Sequence, residues 1–291
     1  MNYQNKEGWF YVMPLLFWLA LSICIPLYIA IELSFFDIKI IGTEGKFVGF
    51  KNYIKIFNST NFFKALSNSV LWVLANAITQ TFFAFLIALT LNKNFKGVKI
   101  ATNWIILSFI IPTVVIVVIW KLMLSSSSGI VNSLLIQIQI IDKPIGFFSS
   151  STGAFLSLVL INSWRWSPFL ALIILSGLKS INQEIYDASK LDGASFFSEF
   201  FYITLPQLKG ILFVLGLVGT LLSFNVFDII WLITKGGPSS ATTTLPLLIY
   251  ETAFTKFRLS QAAALSVITS CILLTFSIIF IKVMGKEDEA D

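Results

Sequence analysis

Hydrophobic residues fall into six long runs, 9–31, 66–91, 100–124, 153–178, 211–234 and 261–284, with polar residues collected between them. The runs are continuous, not alternating. They approach or exceed the ~20 residues a helix needs to cross a hydrocarbon core about 30 Å thick. Lipid offers no partner for unpaired backbone groups, so a spanning segment is a helix or part of a closed barrel. A barrel would show alternating segments of about ten residues. The pattern therefore predicts an all-α integral membrane protein with six transmembrane helices. The first run exceeds the about 7–15 residues of a signal-peptide core, and no small-x-small site follows it, so it is expected to be a retained span.

The joins between runs differ in character. Residues 92–99, NKNFKGVK, are short and basic, whereas 125–152 are Ser-rich and carry the weaker apolar run IVNSLLIQIQII, suited to an interfacial helix. FVGFKNYIKIF, within 32–65, predicts a docked loop. KGGPSS at 235–240 is a turn sequence in which Pro238 stops what precedes it. Lysine and arginine are divided almost equally between the two sides, so charge asymmetry does not orient the chain.

Composition sharpens the class. Of 291 residues, 56% are hydrophobic and 12% charged, against about 25% charged in soluble domains. The net charge of +5 is spread with no basic block, which argues against nucleic acid. Cys24 and Cys271 each sit inside an apolar run without a disulfide or metal motif. The chain has no histidine, which removes the commonest metal ligand and general base.

One punctuated stretch interrupts the apolar chain, DASKLDGASFFSEFFYITLP at 187–206. Read as a helix over 181–192, it places Ile181, Ile185 and Ala188 on one apolar stripe and Glu184, Asp187 and Lys190 on a polar one beside it. Asp192-Gly193 ends that helix, since glycine enters the left-handed conformation freely. A second short helix would offer Phe196, Phe197, Phe200 and Phe201 on one side. Leu205, preceding Pro206, is expected to be extended and to close the unit. Two short helices with one greasy and one polar face suit either docking in a groove or lying on headgroups.

The residues Asp187-Ala188-Ser189, Gly193 and Ile203-Thr204-Leu205-Pro206 resemble a known motif, the E-A-A-x-x-x-G … I-x-L-P coupling loop of binding-protein-dependent ABC importer permeases. Asp187 replaces glutamate and Ser189 replaces alanine, changes that keep charge or size. FVGFKNY at 47–53, LSNSVLW at 66–72, WSPFLALIILSGLKSI at 166–181, FDIIWLITKGGP at 227–238 and QAAALS at 261–266 resemble the sugar-type branch of that family, in the same order. The resemblance implies a type I ABC importer transmembrane domain in a bacterial or archaeal cytoplasmic membrane, with cytoplasmic termini. It implies a first helix plus extracytoplasmic segment over 1–65, a permease domain over 66–284 with its coupling loop at 179–210, and a polar cytoplasmic tail at 285–291. The implied partners are a second homologous permease subunit, two ATPase subunits, an extracytoplasmic solute-binding protein and the lipid bilayer. The chain lacks G-x-x-x-x-G-K-[ST], so it cannot cradle nucleotide phosphates by that route. ATP and Mg belong to the partner ATPases, and this chain is expected to bind no cofactor and catalyse no reaction. On this resemblance Glu184, Asp187, Ala188, Ser189, Gly193, Ile203, Leu205 and Pro206 contact the ATPases.

Polar residues inside the spans are the candidates for the solute pathway. Arg165 lies near the middle of the fourth run, where a central arginine costs about 2.5–3.5 kcal/mol on insertion scales. It is either an inter-helix brace, with Asp228 as a candidate partner, or a solute contact, or it marks a misplaced boundary. Asn76, Thr79, Gln80, Asn162, Ser223 and Asn225 supply uncharged hydrogen-bonding groups, and Trp166, Phe224, Phe227 and Trp231 supply aromatic faces near them in sequence. A hydroxyl-rich solute needs both, although such groups also bind helices to one another. The leading expectation is an ATP-driven importer of a sugar or sugar-like solute. A polyol or glycerol-phosphate importer, a self-sufficient secondary carrier and, more weakly, an intramembrane enzyme are the alternatives.

Overall fold

The computed structural model describes residues 4–38, 45–93 and 95–288. Its elements are α1 (Gln4–Ser34), β1 (Phe36–Asp37), β2 (Lys46–Phe47), α2 (Lys51–Phe57), α3 (Thr60–Leu91), α4 (Val98–Ile110), α5 (Thr113–Met123), α6 (Ile130–Gln137) and α7 (Ser151–Ser180). There follow α8 (Gln183–Leu191), α9 (Phe196–Glu199), a π turn (Phe200–Thr204), α10 (Leu205–Gln207), α11 (Lys209–Phe224), α12 (Asp228–Ile233), α13 (Leu245–Tyr250), a second π turn (Glu251–Thr255) and α14 (Leu259–Asp288). Residues 39–44 of the 32–65 segment, Asn94 of the 92–99 join and 289–291 of the expected polar tail lie outside the described residues.

Among the described residues, five stretches are long and apolar enough to span a membrane: Tyr11–Ser34, Thr60–Leu91, Ser151–Ser180, Lys209–Ile233 and Leu259–Val283. The third run, expected as one span, is two helices, α4 and α5, bent by 97°. The cause is Pro112. It cannot donate a helical hydrogen bond, and its ring drives Ile111 out of the helical region, to φ −62° and ψ 130°. The sixth span exists only if this bent pair crosses as one. The run 130–141, expected to hold an interfacial helix, contains the short helix α6.

The chain forms two compact units. One comprises residues 1–63 and 248–276, the other 64–247 and 277–291. In the first, the expected docked loop is the helix α2, preceded by the antiparallel pair β1–β2 in the register Phe36↔Phe47. Asn52 is buried and donates through Nδ2 to the carbonyls of Ser34 (2.9 Å) and Phe36 (2.8 Å), pairing carbonyls left free where α1 ends and β1 begins. Phe35 packs edge-on against Phe50, with ring centroids 5.3 Å apart.

In the second unit α7 is the central helix and the most buried of the long apolar helices. Ala84, Ala88 and Leu91 of α3 close on Ala171, Ile174, Leu175 and Leu178 of α7, with Leu208 completing the cluster. Small residues on α3 let the two backbones approach, which is how helices associate where lipid provides no hydrophobic drive. Gly177 does the same on α7: a Cβ there would collide with Ile211 and Leu208. α5 packs on α12, and α4 on α7.

Candidate functional site

The charged insert folds as two helical pieces, as its residue pattern predicts, with one correction in its second half. Asn182 caps α8, its Oδ1 accepting from the Glu184 N–H at 3.1 Å. Asp187 and Lys190, one turn apart, form a 3.8 Å surface pair. Gly193 ends the helix at φ +77°. Leu205 is not extended. It is helical at φ −65° and ψ −44°, and residues 196–207 run on as α9, the π turn and α10. The wide turn explains why Pro206 is tolerated. The Leu205 N–H bonds five residues back to Phe200, a looser winding that relieves the clash a proline ring makes with the carbonyl four residues earlier.

The face that α8 turns inward differs from the expected stripe. Ser189 is buried and Tyr186 half-buried, whereas Ile185 and Ala188 are exposed. Tyr186 Oη and Thr204 Oγ1 share a 3.1 Å hydrogen bond that ties the two pieces together. Phe200 packs edge-on against Phe85 of α3, at 5.5 Å between centroids. Ile203 and Leu205 are half-buried and Pro206 exposed. Leu191, Phe196, Phe197, Phe201 and Tyr202 are exposed on the outside of the insert, Leu191 at 91% and Tyr202 at 81%, as are Glu184, Asp187 and Asp192. Sequence reasoning missed Tyr186 and Phe85, and named Thr204 within the motif without its partner. Their contacts join residues far apart in the chain, and no helical spacing signals them.

The polar residues of the spans divide into three groups. Asn76 and Asn162 are buried in a network between α3 and α7. Asn76 Oδ1 accepts from Asn162 Nδ2 (2.7 Å) and Gln80 Nε2 (3.0 Å), and its Nδ2 donates to the Trp72 carbonyl (2.8 Å). Thr79 and Ser163 join the same two helices at 2.6 Å. Asn162 Oδ1 has no partner. Trp72 Nε1 donates to the Ser223 carbonyl at 3.1 Å, fixing α3 against the end of α11.

Gln80, Trp166 and Ser223 form the second group. They line one cavity of about 330 Å³, floored by Phe169, Ile211 and Val214. Trp166 packs edge-on against Phe109 at 5.3 Å. In the third group, Arg165 Nη1 reaches Asp228 Oδ2 at 3.4 Å, across from α7 to the first residue of α12. That is long for a charge-assisted bond, and Arg165 Nε is buried without a partner. The pair neutralises the arginine but holds it loosely. Asn225 stands apart, exposed and bonded to the Leu221 carbonyl at 2.8 Å. Among the described residues no group of histidine, cysteine, aspartate and glutamate could hold a metal ion.

Apolar spans and a bent helix pair define a multi-pass membrane protein, from which the two-piece insert stands exposed. Residues 80–284 match the family of binding-protein-dependent transport system inner membrane components. The trehalose/maltose transport system permease protein MalF of Thermococcus litoralis is 32% identical over 96% of this chain and 94% of its own length. The lactose transport system permease protein LacF of Rhizobium radiobacter is 27% identical over 97% and 94%. A bacterial ABC transporter involved in import of the acidic polysaccharide alginate superposes with a TM-score of 0.80, at 22% identity over 97% of this chain and 96% of that one. This chain belongs to the binding-protein-dependent inner membrane permease family. As a member it is a non-catalytic, multi-pass membrane component of an ABC importer.

Proposed function

We propose that the chain forms half of the translocation pathway of an ATP-driven importer for a sugar or sugar-like solute, and that residues 179–210 dock it to separate ATPase subunits. The observation that carries the reading is the outer face of the insert. Five large apolar side chains stand exposed there beside three carboxylates, on a unit stiffened from within by the Tyr186–Thr204 bond and the Phe85–Phe200 contact. A stiff element transmits a rigid-body shift, whereas a loose one absorbs it. In this reading Asp187, Ala188 and Gly193 meet the ATPase. Ser189 acts from the inner side, and Ile203, Leu205 and Pro206 hold the second piece in place. The ATPases bind ATP and Mg, a second homologous permease supplies the other half, and a solute-binding protein delivers cargo from outside. Both termini and the insert are cytoplasmic.

The solute class is supported by relatives whose names specify trehalose and maltose or lactose and by the cavity lining. Gln80 and Ser223 offer hydrogen bonds, and Trp166 and Phe169 offer flat faces. Asn76 and Asn162 are better assigned to bracing, since their bonds are spent between α3 and α7. The Arg165–Asp228 pair cancels the charge that would have favoured a glycerol-phosphate. A self-sufficient carrier leaves the insert's outer face without a use.

Two measurements test this. Affinity purification from the native membrane should recover an ATPase, and Leu191→Asp with Phe197→Asp should abolish that recovery while the permease stays folded. Mass spectrometry of the ligand held by the co-encoded binding protein should identify a saccharide or related polyol. Solute uptake by this chain alone, without ATPase, would overturn the assignment.

A further inference from the structure

The unit formed by residues 1–63 and 248–276 encloses a pocket of about 520 Å³ that the transport reading does not use. Among the described residues, Lys55, Lys256 and Arg258 line it with one carboxylate, Asp37, and with the hydroxyls of Ser59, Thr252 and Ser260. We propose that this pocket holds the headgroup phosphate of an anionic phospholipid.

Three observations support it. First, the pocket lies at the ends of three membrane-spanning helices. Asp37 and Ile38 follow α1, Ser59 and Asn61 flank the first residue of α3, and Ser260 and Gln261 open α14. Helix ends mark the headgroup level, since the apolar windows begin or stop there. Two of these ends are N-termini of helices of 32 and 30 residues, whose partial positive charges favour an anion.

Second, the turn that carries two of the cations is held in an unfavourable shape. Phe257 has φ +52°, a region costly for an aromatic residue. The Lys256 N–H bonds to the Glu251 carbonyl at 2.8 Å and the Arg258 N–H to the Thr252 carbonyl at 2.9 Å. These bonds fold the chain back so that Lys256 and Arg258 reach the same pocket. Lys256 also meets Glu251 at 3.7 Å, so its charge is partly offset; Arg258 and Lys55 have no ion pair among the described residues.

Third, apolar side chains stand exposed beside the cations, where acyl chains would run. On α2 and its cap, Phe50, Ile54 and Phe57 share one helical stripe and are 67%, 60% and 51% exposed, with Lys51 and Lys55 one turn apart next to it. Phe254 and Phe257 bracket Lys256 and are equally bare. A cationic edge next to an apolar stripe is the pattern of an element lying in the membrane interface.

The test uses the permease purified with its co-assembling subunits and reconstituted in phosphatidylcholine nanodiscs. Labelled phosphatidylglycerol is titrated in, and bound lipid is counted by native mass spectrometry. Each cation removed by Lys55→Gln, Lys256→Gln or Arg258→Gln should weaken binding about 5-fold, and the triple variant on the order of 100-fold. Lys256→Arg and Arg258→Lys should retain it. Should the triple variant fail to assemble, Lys55→Gln alone, on the exposed side of α2, still reads the 5-fold change. Unchanged phosphatidylglycerol binding in the variants overturns the proposal. Binding of inorganic phosphate as tight as the lipid's overturns the lipid source. Loss of the solute-binding protein with lipid retention intact assigns the pocket to a protein carboxylate and likewise overturns it.

Discussion

Replacing Asn76 with alanine should cost more stability than replacing Asn162, although the two side chains share one hydrogen bond. Asn76 is fully buried, and its Oδ1 is the acceptor for both Asn162 Nδ2 and Gln80 Nε2. Truncating it orphans two buried amide donors, each worth about 1–3 kcal/mol of desolvation if no new partner appears. Inter-helix bonds in membranes average only about 0.6 kcal/mol and reach about 1.7, because the separated helices find other partners. Gln80 borders a cavity and can turn towards it, which trims its share. The sum for Asn76→Ala is about 1.5–3 kcal/mol. Asn162→Ala loses the same inter-helix bond but also removes an Oδ1 that is already buried and unpartnered. Its cost is about 0.5–1.5 kcal/mol. Denaturant titration in lipid bicelles measures both, and the double variant gives a coupling energy of about 0.6–1.7 kcal/mol. Equal single costs, or strict additivity, would refute the brace. A changed solute preference with unchanged stability would return both asparagines to the pathway.

Three further outcomes follow from the same geometry. Gly177→Leu should destabilise by about 1–3 kcal/mol through overpacking against Leu208 and Ile211; a neutral result in the same titration would mean that α7 and α11 separate freely. Gly193→Val has open space for its side chain but must hold a β-branched residue at φ +77°, costing about 1–3 kcal/mol locally; solute-stimulated ATP hydrolysis in proteoliposomes should fall while the spans stay folded, and normal stimulation sinks the coupling role. Single cysteines at Lys96 and Ser240 should label from opposite sides of the membrane, in a background without Cys24 and Cys271, both of which are exposed; labelling of both from outside in intact cells overturns the orientation.

The spans were legible because lipid imposes one rule on long segments, and continuous apolar length reports it directly. Where the chain breaks inside such a segment, length is silent. The bend at Ile111-Pro112 sits within an unbroken apolar run, so hydropathy counts α4 and α5 as one piece. The dipeptide held the signal, since a residue before proline avoids the helical region. The same rule misled at Leu205-Pro206, where Leu205 stays helical. The difference lies in the preceding turn. Before Pro112 the chain winds as an ordinary α-helix, while before Pro206 it has widened to i→i+5 bonds, and nothing in FFYIT announces that. Of the pathway candidates, polarity within a span marked Asn76, Gln80, Asn162, Arg165, Ser223 and Asp228 without distinguishing a brace from a lining. That distinction depends on which helix face each occupies and what stands opposite, information that lies outside any single segment.

The insert shows how periodicity can be correct and still be assigned to the wrong surface. Of the expected stripe, Ile181 is extended, precedes α8 and packs on the α3–α7 cluster, while Ile185 and Ala188, on α8 itself, face away from this chain. What α8 turns inward is Tyr186 and Ser189, a polar pair whose hydroxyls bond to Thr204 and to the Tyr186 carbonyl. On the proposed docking, hydrophobic spacing records burial under a second surface that covers the outer stripe, and the inner surface is fixed by hydrogen bonds that periodicity does not weigh. Exposed apolar area on this scale is not maintained by a monomeric element. Within the chain α8 is held by the Tyr186–Thr204 bond, and cover of its outer stripe would add to that hold. Docking and folding of the insert are thus linked: a partner that covers Leu191, Phe196 and Phe197 stabilises the unit by its own binding free energy. Amide exchange of α8 should then slow when the partner subunits are present and quicken when they are removed. Equal protection in both states would show that the outer stripe needs no cover and would refute docking at this face.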